Sequence, residues 1–387
     1  MKNILLVSHD FSVTGAPNSL LRQAKYLKKA GFNVDVWALG GGDLYDRYIE
    51  EGLHPIVLEN TRRAIYRQYK KRNYKYDLII CNTTVTYKAV DVLQRYGVPV
   101  IWFIRETKLV EDGIRADADF ANVFKNFYNI YTVSDYAAKV SKKYNKNVRI
   151  INNAVDDNFV KYSPIHKSIT FGYIGSISYI KGVEILIKAF NDVYKKNPNI
   201  KLLIAGHYWN EYGLRLFAQK HKAIKWLGEI QCEEKQRFFN SIDCLCVPSF
   251  DEPSGLTVIE GAMYGKPMIV SENIGASYII KNKESGFVVK TNNAKALAGA
   301  MQKICVSDIK NMQKNARSLY LKYGTTDREE QEVLKMVEDN LGNKPVVKNK
   351  MKLESTELPN WFVRFVYCLI PIRSYRHKFR DKVMKLN

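Results

Sequence analysis

Residues 244–276 read CLCVPSFDEPSGLTVIEGAMYGKPMIVSENIGA, and the fold follows from how this stretch divides. Cys244-Leu245-Cys246-Val247 is a short apolar run closed by Pro248 and Ser249, as a buried parallel strand requires. A loop crowded with Asp251, Glu252 and Pro253 follows. Ser254-Gly255 then opens a helical pattern with Leu256, Ile259, Ala262 and Met263 on one face. A second apolar run, Pro267 to Val270, completes strand, loop, helix and strand. Such a unit is a right-handed βαβ crossover, and its loop lies at the carboxyl edge of a parallel sheet, where ligands bind.

Glu252 and Glu260 stand eight positions apart, one before the helix and one within it, so both can face one ligand. Between them, the backbone N–H groups around Ser254, Gly255 and Leu256 have no helical acceptor and form an anion site. Carboxylates beside an anion site suit a ligand that carries hydroxyls and phosphate. The alternative is structural: Glu252 caps the helix and Glu260 pairs with a nearby lysine.

Working outward, 387 residues with 46% hydrophobic and 26% charged content give room for two folded domains. Cys81, Cys232, Cys244, Cys246, Cys305 and Cys368 show no ligand spacing, so a reducing, metal-free interior is expected. The apolar run at the N-terminus, Ile4 to Val7, is too short for a signal peptide or a membrane span, which predicts a cytosolic protein. A formal charge of +21 calls for a polyanionic partner.

Ile4 to Val7 reads as a first strand, and the loop that follows delivers Thr14-Gly15-Ala16 to a helix from about Asn18 to Ala30. Val34 to Leu39, Asp77 to Asn82 and Val98 to Ile104 are further strands, the last ending in Arg105-Glu106. Between them, Thr61 to Tyr76 carries Arg62, Arg63, Arg67, Lys70, Lys71, Arg72 and Lys75 without an acid, interleaved with Ile65, Tyr66 and Tyr69. That pattern suits a solvated basic helix or a bilayer interface. Asp117-Ala118-Asp119 has the form of a D-x-D metal motif but no strand before it, so helix capping is expected.

A hinge at Tyr162-Ser163-Pro164 precedes a strand over Ile169 to Ile174, the loop Gly175-Ser176-Ile177-Ser178-Tyr179-Ile180-Lys181-Gly182, and a helix burying Val183, Leu186, Ile187 and Phe190. Leu202 to Ala205, Ile224 to Leu227 and Gly286 to Val289 are strands. Helices run over Ala294 to Cys305, Ile309 to Tyr323 and Asp327 to Leu341.

The two glutamates with seven residues between them, followed by Gly265-Lys266-Pro267 and a glycine turn, resemble the donor-site signature of the family 4 retaining glycosyltransferases. The Gly15 loop and the Lys181 loop agree with it in order, and the resemblance extends over about residues 2–341. It implies the GT-B fold: two doubly wound Rossmann-like α/β domains facing across a cleft. The expected divisions are an acceptor-side domain at 1–163, a nucleotide-sugar domain at 164–326, and a helix at 327–341 returning to the first domain.

Carried over by position, the resemblance gives Glu260 the ribose hydroxyls, Glu252 the transferred sugar and Lys181 the diphosphate. Gly175 and Ser176 belong to the phosphate loop, Glu229 and Ile230 to the base, and Gly15 to the first glycine-rich loop. Arg105 stands where a histidine is common, and Ser176 where arginine is frequent. The implied reaction is front-face sugar transfer from a nucleotide sugar without a metal or other cofactor.

Residues 342–387 lie outside the pattern. They combine the apolar, aromatic run Trp361 to Ile370 with Arg373, Arg376, Lys378, Arg380, Lys382 and Lys385. An interfacial anchor is expected, or else a helix packed on the enzyme body. The whole pattern points to a cytoplasmic enzyme, peripheral on the inner face of the membrane, that extends a lipid-linked glycan in capsule, cell-wall or other surface polysaccharide assembly. Two other classes compete. A nucleic-acid-binding protein would explain the charge, but no nucleic-acid module is recognisable. A sugar epimerase of similar fold would release free product without an acceptor.

Overall fold

The structure is a computed structural model that describes residues 1–71, 76–219 and 221–342. The expectation of a membrane anchor at 342–387, and Arg72 and Lys75 of the basic stretch, thus fall outside the described residues, except for Gly342.

The first sheet has seven strands: β1 (Asn3–Ser8), β2 (Asn33–Ala38), β3 (Pro55–Val57), β4 (Leu78–Asn82), β5 (Val100–Ile104), β6 (Ile130–Thr132) and β7 (Val148–Ile150), in the order β3-β2-β1-β4-β5-β6-β7. The second has six: β8 (Ile169–Ile174), β9 (Ile200–Ala205), β10 (Ile224–Gly228), β11 (Cys244–Val247), β12 (Met268–Ser271) and β13 (Gly286–Val289), in the order β10-β9-β8-β11-β12-β13. Neighbouring strands pair in parallel. Helices cover both faces of such sheets, so central strands lose the alternation of a half-exposed strand and become continuous apolar runs. Ile79, Ile80 and Cys81 of β4 and Val100 through Ile104 of β5 are all buried.

The described residues form two compact units: residues 1–103, 116–129 and 334–342 in one, and residues 104–115 and 130–333 in the other. In the second unit, strand order reverses between β8 and β11, which pair through Phe171 with Cys244 and Gly172 with Leu245. The chain leaves β8 into the Gly175–Gly182 loop and leaves β11 into the Pro248–Gly255 loop. The two loops expected to bind the donor therefore flank the switch point, where a doubly wound sheet opens a ligand crevice. Gly182 makes their close approach sterically possible: its φ is +69°, and a Cβ there would lie 2.2 Å from the Pro248 carbonyl oxygen.

The linker into β8 is fastened by a buried lysine. Lys266 is wholly buried, and its Nζ donates to Ser163 Oγ at 2.6 Å and to the Ile242 carbonyl at 2.8 Å. Desolvation pushes its ammonium down to about 8, against an opposing pull from Asp243. Asp243, also buried, accepts from the Thr170 N–H at 2.8 Å and the His166 N–H at 3.2 Å. Residues 163–170 are thereby tied to Ile242 and Asp243, which lead into β11.

Two details of the first unit settle expectations. Asp117 caps the helix Ala118–Asn126, accepting from the N–H groups of Asp119 at 2.9 Å and Phe120 at 3.0 Å, as expected of it. The basic face from Arg62 needs a correction. Arg62 turns inward, donating from Nε to Asp91 at 2.7 Å and from Nη2 to Asp119 at 2.6 Å. Arg63, Arg67, Lys70 and Lys71 remain exposed on the helix Arg62–Lys71. Among the described residues, no helix is long and apolar enough to cross a membrane.

Candidate functional site

The helix within residues 244–276 spans Leu256–Met263, and Gly255 precedes it in the left-handed conformation with φ +81°. A side chain at 255 would be strained there, and its Cβ would stand 2.7 Å from Ile274 Cγ2. Gly255 has no side chain with which to cap the first turn. The Val258 N–H donates to the Gly255 carbonyl at 2.9 Å, and the N–H groups ahead of it, at Leu256 and Thr257, are those that a helix start offers to an anion. Val258, Ile259, Ala262 and Met263 are buried, while Leu256 is only partly so. The inward stripe thus starts two residues later than the sequence pattern indicated.

Glu252 does not cap this helix. Its carboxylate pairs with Lys181 Nζ, both side chains about one quarter exposed or less. Its backbone is fixed from the far side, with its N–H donating to Asn273 O at 3.1 Å and its carbonyl accepting from Gly275 N at 2.8 Å. Glu260 holds a second lysine, Lys235, from the helix Cys232–Asn240. The ion pair that a purely structural role for Glu260 calls for is therefore present. Each carboxylate of the pair faces a cation, and the N-terminus of the helix lies between them in sequence.

The Lys181 loop is built by β8 and β9. Gly175 N donates to Ala205 O at 3.1 Å, Tyr173 OH donates to Ser176 O at 2.8 Å, and Phe250 N donates to Ile180 O at 2.7 Å. Ser176 is exposed. Burial, followed by the nearby Glu252 charge, pushes the Tyr173 phenol far above its ordinary range, so it stays a neutral hydrogen-bond donor. Arg105 is buried and reaches the same neighbourhood: its Nη1 donates to Asn153 Oδ1 at 2.9 Å, and Asn153 Nδ2 donates to Ser254 Oγ at 2.7 Å.

Comparison with known proteins fits this geometry. The profile of glycosyl transferases group 1 matches residues 154–319, and that of glycosyl-transferase family 4 matches residues 1–156. The chain belongs to the family 4, group 1 glycosyltransferases. The capsular polysaccharide biosynthesis glycosyltransferase CapM of Staphylococcus aureus is 26% identical over 157 residues, 40% of each chain. The D-rhamnosyltransferase WbpZ of Pseudomonas aeruginosa is 32% identical over 135 residues, 34% of this chain and 35% of that one. The chain thus spans about a third to two fifths of the length of these curated relatives. The crystal structure of Anabaena HepE in complex with UDP has a TM-score of 0.74 at 16% identity, covering 88% of this chain and all of that one. The fold is GT-B.

Among the residues singled out from the sequence of this glycosyltransferase, hydrogen bonds and ion pairs link Lys181 directly to Glu252 and Arg105 to Ser254 through Asn153. Gly175, Ser176, Gly255, Leu256 and Glu260 lie on the same two loops and helix. Glu229 is exposed, 3.9 Å from His207 Nδ1, and Ile230 is partly buried. Gly15 opens the helix Gly15–Lys29 in the first unit, with Thr14 at the cap position. Sequence reasoning missed Lys235, Asn153 and the partners of Asp251. Lys235 sits in a charged amphipathic run with no feature that sets it apart from Lys222 or Lys225.

Proposed function

We propose that this protein is a retaining glycosyltransferase that moves a sugar from a nucleotide-sugar donor to a glycan, lipid-linked at the cytoplasmic face of a membrane. The carrying observation is the pairing of Lys181 with Glu252 ahead of an uncapped helix start, at the switch point of the second sheet. In this reading the diphosphate takes Lys181 and the first-turn N–H groups, the transferred sugar takes Glu252, and the ribose hydroxyls take Glu260. Charge developing on the leaving diphosphate then meets donors already in place. A preorganised donor of this kind is typically worth about 10²–10³ in rate. The reading needs no metal, because a cation and a helix N-terminus supply the positive potential.

The buried Arg105 supports a second positive group on the donor side, in the place where family members commonly carry histidine. Surface polysaccharide assembly as the setting draws support from the similarity to CapM, a capsular polysaccharide biosynthesis glycosyltransferase. Membrane attachment draws support from the exposed cations on the helix Arg62–Lys71 and from the basic, aromatic sequence beyond residue 342.

A thermal-shift screen with UDP-, GDP- and ADP-sugars tests the donor. HepE is described with UDP, so UDP-glucose comes first. A shift for at least one nucleotide sugar, abolished in Glu260→Ala, supports the reading. A panel with no shift at millimolar ligand refutes it.

A further inference from the structure

The loop carrying Glu252 is gripped by three stretches remote in sequence. Thr107 Oγ1 stands 2.6 Å from each carboxylate oxygen of Asp251, so its single proton is shared between them. Tyr136 OH donates to Asp251 Oδ1 at 2.8 Å. Ser134 Oγ donates to the Pro253 carbonyl at 2.6 Å while accepting from Ala137 N at 3.1 Å. Asn153 joins Arg105 to Ser254, as described above. Thr107, Ser134 and Asn153 are buried.

These contacts cluster on residues 251–254 and skip the carboxylate of Glu252, which is left to Lys181. Apolar side chains would fill the same space without the cost of burying polar groups. The polar set therefore serves geometry more than packing, because directional bonds fix where a loop stands. Burial, assisted by Asp251, pushes the Tyr136 phenol up, so it remains a donor at any physiological pH. Thr107 is two residues from Arg105, which means that the bond to Asp251 also anchors the stretch bearing that guanidinium.

We propose that Asp251 is a positioning residue: through Thr107 and Tyr136, and in parallel with Asn153, it locks the Arg105 stretch and the Glu252 loop into one constellation. This rests on the transferase reading above. Arg105 and Glu252 then act on the donor as a preset pair rather than as groups assembled on binding. The loss of half an ångström in such a pair lowers turnover more than it lowers binding.

The test is the variant Thr107→Val/Tyr136→Phe, with Thr107→Ser as the conservative control. Amide hydrogen exchange is followed over residues 250–256. Turnover is followed with whichever of UDP-glucose, GDP-mannose or ADP-glucose the wild type hydrolyses fastest. The expected result is at least tenfold faster exchange in that segment and unchanged exchange in β8. The kcat should fall by a factor of thirty or more with KM within threefold, and Thr107→Ser should restore both. Unchanged exchange at 250–256, or kcat within threefold of wild type, overturns the proposal. So does a joint loss of kcat and KM that tracks a lowered Tm. If the wild type hydrolyses no nucleotide sugar, the transferase reading fails first and the positioning role falls with it.

Discussion

Lys266 offers a prediction that can be worked through from one buried amine. Its ordinary value is 10.5 and burial lowers it to about 8, so between these values the unfolded chain binds the proton that the folded chain has released. Stability should therefore rise with pH across this window, since a lowered lysine destabilises the fold most when it must be charged. Below pH 8 the full penalty applies, about 3 kcal/mol from that difference. Raising pH from 7 to 10 recovers about 2.5 kcal/mol of it. Tyrosines such as Tyr278, raised to about 12, begin to lose stability as pH approaches 10, at the upper edge of the window, and do so equally in the two proteins. The assay is urea unfolding of wild type and Lys266→Met at pH 7, 8, 9 and 10, reading the difference at each pH so that other groups cancel. Methionine gives up the bonds to Ser163 and Ile242, which shifts the variant by a constant amount but leaves it without the slope. Parallel pH profiles for the two proteins would refute the reasoning.

Other expectations concern the site and the tail. Glu260→Ala should weaken nucleotide-sugar binding by about 1.5–3 kcal/mol, the worth of hydrogen bonds to a charged acceptor, as measured by calorimetry. Unchanged affinity in a folded variant would leave Glu260 as the partner of Lys235 alone. Lys181→Ala should lower turnover about 10²–10³-fold for every donor tested while leaving the preference among sugars intact, and equal activity would end the phosphate-loop role. Deleting residues 358–387 should release the protein from anionic liposomes in a flotation assay while donor hydrolysis persists. Continued flotation, or unfolding, would favour a helix packed on the enzyme body.

The parts legible in the sequence were those set by local chemistry. Ile169–Ile174 was bounded correctly as a strand, and Ala294–Cys305 and Ile309–Tyr323 as helices, the latter two because Asn293 and Asp308 cap them. The strand Pro55–Val57 and the helices Tyr45–Glu50 and Glu211–Phe217 escaped notice. They are only three to seven residues long, too short for a periodicity to emerge. Arg62 looked like its basic neighbours because its acids lie 29 and 57 positions away. The bonds to Asp251 from Thr107 and Tyr136 span 144 and 115 positions, and no local rule joins residues so separated. The glutamates and Lys181 proposed to meet the donor stood out through their spacing and resemblance, whereas the residues bonded around them did not.

The pairing of Lys181 with Glu252 makes the proposed donor an exchange of partners. A diphosphate that draws the ammonium to itself strips Glu252 of its counterion, and hydroxyls of the attached sugar then solvate that carboxylate. A spent nucleotide, having lost its sugar, still claims the lysine but leaves the carboxylate bare. Intact donor thus satisfies both charges and spent nucleotide only one. On the proposed reading, the bond between lysine and glutamate re-forms once the sugar has left, and that resting-state contact would then favour release of the spent nucleotide.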